Sequence, residues 1–139
     1  MRLTRSQIMA RVKATDTSPE LAVRSIVHSL GFRFRLHRRD LPGAPDLVFP
    51  RLRKVIFVHG CFWHGHSCAR GARVPKTNRE YWLAKIARNA KRDRATRAAL
   101  AKSGWRVLVV WECRLNNRAA LTAKLRRFLE QRERTEARR

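Results

Sequence analysis

The chain has 139 residues, a mass of 16.3 kDa and 44% hydrophobic side chains, which argues for one domain with a real core and against wholesale disorder. It carries 33 Lys and Arg against 10 Asp and Glu, a net charge of +23 distributed over the whole sequence rather than confined to a tail. The longest stretch free of Asp, Glu, Lys and Arg, residues 55–69, is too short to span a bilayer, and the N-terminus lacks the apolar run of a secretory signal. A strongly basic folded body attracts polyanions, and Arg suits forked contacts with phosphate and base edges, so nucleic acid is the expected partner; the missing secretory run makes the cytoplasm the expected location.

Residues 1–16 are polar and basic and read as an N-terminal arm. At Thr17-Ser18-Pro19-Glu20 a helix begins: Thr17 or Ser18 caps it, Pro19 suits the first turn, and Glu20 sits at the positive end of the dipole. Leu21, Ile26, Val27 and Leu30 are its expected apolar stripe, and Gly31 ends it. Phe32-Arg33-Phe34-Arg35-Leu36 alternates as a half-buried strand does. A Leu41-Pro42-Gly43-Ala44-Pro45 turn leads into a short strand over 46–49. Residues 54–59, nearly all apolar, predict a central strand. A loop over 60–76 follows. Asn78 is the expected cap of a long helix reaching about residue 102, with Tyr81, Trp82, Leu83, Ile86, Ala90, Ala98 and Leu100 as its apolar points; Gly104 breaks it. Residues 105–111 predict a second buried strand, whose Trp105 and Trp111 read as core. A last helix covers 118–132, with Leu121, Leu125 and Leu129 at four-residue spacing. The domain should therefore run over 17–132, with 133–139 a basic tail.

Four groups of residues carry chemistry. Cys61-x4-His66-x-Cys68, with Cys113 after the last strand, offers three thiolates and an imidazole, the donor set of a closed structural zinc site. Read plainly, the same residues are buried thiols and solvated histidines. Asp46 and His59 lie on neighbouring strands and can meet at a sheet edge, where a metal-dependent nuclease needs a carboxylate and a charge stabiliser. Glu20 could add a second acid, or simply start its helix. Phe62, Trp63, Met9 and Trp82 could stack on bases or wedge between them, while Phe62 and Trp63 could equally cover the metal site. Asp93, set among Lys91, Arg92 and Arg94, could orient a catalytic histidine or form a surface ion pair.

The string Val55-Ile56-Phe57-Val58-His59-Gly60-Cys61-Phe62-Trp63-His64, then His66 and Cys68, Glu80-Tyr81-Trp82-Leu83, Lys85-Ile86, Arg92-Asp93-Arg94, Gly104-Trp105-Arg106-Val107-Leu108 and Val110-Trp111-Glu112-Cys113, resembles the very short patch repair DNA mismatch endonucleases. Thr4-Arg5-Ser6, Met9, Leu41-Pro42-Gly43 and Pro45-Asp46 fit the same pattern, so the resemblance runs from about residue 4 to about 132. It implies a single α/β domain with a restriction-endonuclease-like mixed β-sheet flanked by helices. It also implies a magnesium-dependent endonuclease that nicks 5′ of the thymine in a T:G mismatch left by 5-methylcytosine deamination. By the same resemblance Asp46 and the Val58 carbonyl would hold magnesium, and His64 would be the general base held by Asp93. His59 would contact the scissile phosphate, and Glu20 would touch the hydrated metal. Cys61, His66, Cys68 and Cys113 would bind structural zinc, and Met9, Phe62, Trp63 and Trp82 would wedge into DNA. Phe57 stands where the wider nuclease superfamily carries a second carboxylate. Expected partners are mismatched double-stranded DNA and mismatch-repair proteins, with the chain a monomer, nucleoid-associated when acting, and no membrane involved. The competing readings are a restriction- or structure-specific nuclease on the same core, and a non-catalytic zinc-containing DNA-binding protein.

Overall fold

The computed structural model describes residues 17–61, 64, 66, 68 and 74–131. The arm over 1–16 with Met9, the aromatic pair Phe62 and Trp63, and the tail over 133–139 lie outside the described residues. Helix α1 spans Ser18–Ser29; strands β1 (Arg35–Leu36), β2 (Leu47–Phe49) and β3 (Lys54–His59) follow. Then come helix α2 (Arg79–Lys102), strand β4 (Arg106–Trp111), a 3-10 turn over Glu112–Asn116 and helix α3 (Arg118–Glu130). No helix among the described residues is long and apolar enough to cross a membrane.

The sheet order is β1-β2-β3-β4, antiparallel for the first two pairs and parallel for β3 with β4, so it is mixed. Alternation along the strands divides the core into two layers. Leu47, Phe49, Ile56 and Val110 meet Val23, Ile26 and Val27 of α1 and Leu121, Leu125 and Leu129 of α3. Val48, Val55 and Phe57 face the other way, towards Leu100 of α2 and Trp105. With helices on both faces, β3 is inside, which is why it is apolar at nearly every position.

Lys54, at the start of β3, is buried. Its ammonium donates to the carbonyls of Phe128 (2.6 Å), Leu129 (3.2 Å) and Gln131, closing the C-terminal end of α3 where helix carbonyls lack partners. The loop before β2 comes close to α2. Gly43 has a φ of +74°, and a Cβ there would lie 2.4 Å from Thr96 Cγ2 and 3.3 Å from the Phe57 ring, so only glycine lets this turn deliver Asp46 to the sheet.

Several expectations need correction. The alternating segment over 32–36 keeps Phe32 and Phe34 half-buried, but only Arg35–Leu36 pair as a strand. Leu21 is 49% exposed whereas Glu20 is 2% exposed; at about 100° per residue, Glu20 shares its face with Val23 and Val27, and Leu21 does not. Thr17 is the cap of α1, its hydroxyl accepting from the Glu20 N–H at 3.4 Å. Asn78 occupies the N-cap of α2 but is left-handed and makes no capping bond with its side chain. Of the apolar points named on α2, Trp82 and Leu100 are buried, while Tyr81 and Leu83 lie outside.

Candidate active site

The topology collects the chemistry at one edge of the sheet. In a parallel pair both strands end at the same edge, and the register sets His59 beside Trp111. Strand β2 runs the other way, so the residue before it, Asp46, stands at that edge too. The residue after β1, His37, does likewise, because β1 is antiparallel to β2.

Asp46 accepts a 2.6 Å hydrogen bond from the Val58 backbone N–H. Burial pushes its carboxyl up to about 7; the Val58 bond pulls down, and the neighbouring Glu20 carboxylate pushes up further. Glu20 is buried and paired with Arg24 one turn along α1. His37 completes this group: its Nε2 lies 3.0 Å from Glu20 Oε2 and 3.1 Å from Arg24, and its Nδ1 lies 4.0 Å from Asp46 Oδ1. One donor atom from each of Glu20, His37 and Asp46 falls within 4.8 Å of the others, as a cation site requires. Two carboxylates facing each other under partial burial leave negative charge for a cation to offset, and oxygen donors suit magnesium.

Beside it lie His59, His64 and Asp93. The His59 and His64 rings stack at 3.8 Å and 5° between planes. His64 Nδ1 is 2.6 Å from Asp93 Oδ2, so the isolated acid of α2 meets the loop histidine. His59 is 7% exposed; burial, with His64 alongside, pushes its pKa down to about 4, and its Nδ1 has no hydrogen-bond partner among the described residues.

The third group is Cys61, His66, Cys68 and Cys113, whose donor atoms all lie within 4.8 Å of one another. Cys113 Sγ is 3.6 Å from His66 Nδ1. Zinc bonds of about 2.3 Å to sulfur and 2.0 Å to nitrogen at a tetrahedral angle span about 3.5 Å, so the donor set fits zinc in type and spacing. Burial, with the neighbouring thiols of Cys68 and Cys113, pushes Cys61 up to about 12, against the pull of the Cys113 N–H. A thiol held neutral in this way ionises readily only when a cation arrives.

Two residues of this edge escaped the sequence. His37 follows a short alternating strand and precedes the Leu41-Pro42-Gly43 turn; its one signal was a place opposite Asp46 across a hairpin. Trp111 was assigned to the core, yet its ring stacks on His66 at 4.2 Å and stands edge-on to His59 at 5.3 Å. A half-buried strand end beside the loop left it no apolar layer to join. Trp105 is core as expected. Trp82 is largely buried at the start of α2, with its ring against Tyr81.

Helices on both faces of a mixed sheet, with carboxylates and histidines gathered at one edge, make a candidate cation-binding active site on an α/β domain. The fold is similar to the catalytic domain of homing endonuclease I-Bth0305I, with a TM-score of 0.58 at 19% identity over 81% of this chain and 94% of that one. A family model described as DNA mismatch endonuclease Vsr matches residues 2–70. The type II nicking enzyme V.XorIIP of Xanthomonas oryzae is 56% identical over 91% of this chain and 92% of its own length. The type II nicking enzyme V.NmeAIP of Neisseria meningitidis is 41% identical over 91% and 90%. The DNA mismatch endonuclease Vsr of Escherichia coli is 46% identical over 86% and 76%. This chain belongs to the DNA mismatch endonuclease Vsr family, and it is a DNA endonuclease.

Proposed function

We propose that this endonuclease nicks one strand of duplex DNA 5′ of the thymine in a T:G mismatch, leaving a 5′-phosphate, with magnesium at Asp46 and a structural zinc at Cys61, His66, Cys68 and Cys113. The observation that carries the reading is the continuous line of contacts from Asp46 through Val58 and His59 to His64 and Asp93. It joins a cation-seeking carboxylate to a histidine already paired with an acid, and a DNA-binding scaffold has no use for either.

Magnesium, when bound, would offset charge developing on the scissile phosphate and make a nearby water more acidic. In an extended strand the N–H and C=O of one residue face the same neighbour, so the Val58 carbonyl shares the side on which its N–H meets Asp46, which suits it as a second oxygen ligand. Asp93 accepting from Nδ1–H holds His64 in the tautomer whose Nε2 lone pair takes a proton from the attacking water. His59, neutral at working pH, offers a ring N–H to a phosphate oxygen rather than a charge. Cys61, His66, Cys68 and Cys113 would hold zinc and so tie the loop carrying His64 to the turn after β4, and Trp111 stacked on His66 packs the two groups together. Phe62, Trp63 and Met9 would be the wedge, while the burial of Trp82 fits packing at the start of α2 rather than insertion. A mismatched step unstacks more cheaply than a paired one, so a wedge costing a few kcal/mol favours the lesion. The +23 charge supplies general attraction to the duplex, in the cytoplasm and on the nucleoid.

The test is nicking of matched duplexes carrying T:G or T:A, with and without magnesium, by the wild type and Asp46→Ala. A nick confined to the thymine strand of T:G, requiring magnesium and lost in Asp46→Ala, is expected. Equal cleavage of T:A would make the protein a restriction-type nuclease, and binding without cleavage would make it a DNA-binding module.

A further inference from the structure

The two outer strands of the sheet are unlike. β1 is two residues long, whereas β4 runs over six, Arg106–Trp111, in unbroken register with β3 and with no proline or bulge. Among the described residues no chain pairs with its outer side. Proteins commonly shorten, charge or distort such a strand, because its free backbone groups recruit any extended chain. The Arg106 N–H reaches the Arg53 carbonyl at 2.9 Å, so Arg106, Leu108 and Val110 bond inward to β3. In a parallel pair the alternate residues turn N–H and C=O the other way, so Val107 and Val109 present both groups outward.

A groove of about 630 Å³ follows the first half of this strand, between α2 and α3. On the α2 side Ala98 and Ala101 leave room beside the strand, and Arg94 and Arg97 flank it; on the α3 side stands the Phe128 ring. Arg106 lines the groove as well, and its buried Nη1 has no hydrogen-bond partner among the described residues. Three guanidinium groups and no carboxylate among the described lining residues call for negative charge. The occupant must also meet outward carbonyls as well as outward amides. A phosphate backbone supplies acceptors only and would leave the carbonyls of Val107 and Val109 bare, whereas an extended peptide offers both. A second copy of this chain would bring its own arginines against these.

We propose that the outer side of β4 is a docking site for an acidic, extended segment of another protein, which joins the sheet as an added strand. Its backbone pairs with Val107 and Val109. Side chains of a strand alternate between faces, so acids on one face meet Arg94 and Arg97 while apolar residues on the other meet Phe128. The groove lies at the opposite end of β4 from Trp111 and His59, so a docked segment leaves the catalytic residues uncovered.

The probe is a fluorescein-labelled peptide alternating Glu and Val over about eight residues, enough to follow the strand. It is titrated into full-length protein at about 0.15 M salt, where exposed charges more than about 8 Å apart are largely screened. It should bind, and amide exchange followed by NMR should show Val107 and Val109 protected by it. Val107→Pro removes one outward N–H and should weaken binding about tenfold or more, while Val107→Ala keeps that N–H and should stay within about threefold. Arg94→Gln with Arg97→Gln leaves the strand untouched, and so reads the groove even if proline disturbs the fold; it should also weaken binding about tenfold. Arg33→Gln with Arg35→Gln, an equal change of charge on the β1 side of the sheet, should change it less than about threefold. Circular dichroism verifies the fold of each variant. Failure of the peptide to bind, unchanged exchange at Val107 and Val109, full binding by a folded Val107→Pro, equal binding of the peptide N-methylated at every residue, or equal loss in the two double variants would overturn the proposal. So would displacement of the peptide by duplex DNA together with loss of duplex affinity in Val107→Pro, which would give the groove to nucleic acid. A dimer of the free protein that Val107→Pro dissociates would give it to a second copy and overturn the proposal equally.

Discussion

Replacing Asp46 with Asn should stabilise the protein while abolishing its nicking, and the gain should depend on pH. Burial beside Glu20 raises the carboxyl from 3.8 to about 7. The folded state then holds this proton more tightly than the unfolded chain. The contribution of Asp46 to stability is therefore greatest below about pH 4 and is lost as pH rises through 7. At about 1.4 kcal/mol per pKa unit, the loss between pH 5 and pH 8 is about 2.5 kcal/mol. Asn keeps an oxygen to accept the 2.6 Å bond from the Val58 N–H, so the substitution removes charge and leaves the contact. Urea denaturation of the two proteins at pH 5 and pH 8, with zinc present and no magnesium added, reads the difference. The variant should gain about 2–3 kcal/mol over the wild type on moving to pH 8. His59 works with the opposite sign, since its pKa is depressed to about 4 and its contribution is lost as pH falls from about 6.5 to 4, but it is common to both proteins and cancels. Added magnesium should narrow the gap at pH 8 by binding the wild type alone. An equal gap at both pH values refutes the argument, because a carboxyl with an ordinary pKa would have no such dependence.

Other substitutions separate the three groups at the sheet edge and the packing beneath them. His64→Ala should lose nicking with its zinc content intact, whereas His66→Ala should lose zinc, measured by elemental analysis, along with activity; the reverse pattern would mean that the two histidines have exchanged roles. Lys54→Met should cost about 2–4 kcal/mol in urea denaturation with the rate of nicking by the folded protein retained, because it leaves carbonyls at the end of α3 without a donor; a loss below about 0.5 kcal/mol would show that water replaces the ammonium there. The affinity for DNA should fall linearly with salt on a log–log scale, each neutralised phosphate adding about −0.9 to the slope. That slope should stay well below the net charge of +23, since one face of the protein meets the duplex; a flat dependence would show that the charge serves something else.

Features that depend on neighbours in the chain were legible in the residues alone. Thr17 with Pro19 marks the start of α1, and the apolar run from Lys54 to His59 marks an inner strand, because capping and burial on two faces leave local signatures. The Cys61, His66, Cys68 and Cys113 set was readable because soft donors are scarce and their grouping is conspicuous, and the resemblance named Asp46, His64 and Asp93. What the tertiary structure decided depends on contacts between distant segments. Helical rotation, not hydrophobicity, buries Glu20 and exposes Leu21. Pairing of β1 with β2 brings His37, otherwise an unremarkable polar residue before a turn, between Glu20 and Asp46. The parallel register of β3 and β4 sets Trp111 beside His59, so a ring that periodicity assigns to the core lies instead among the histidines. The shifted ionisation of Asp46, His59 and Cys61 belongs to the same level, because desolvation is a property of the surroundings that folding assembles and no residue carries it in its own type.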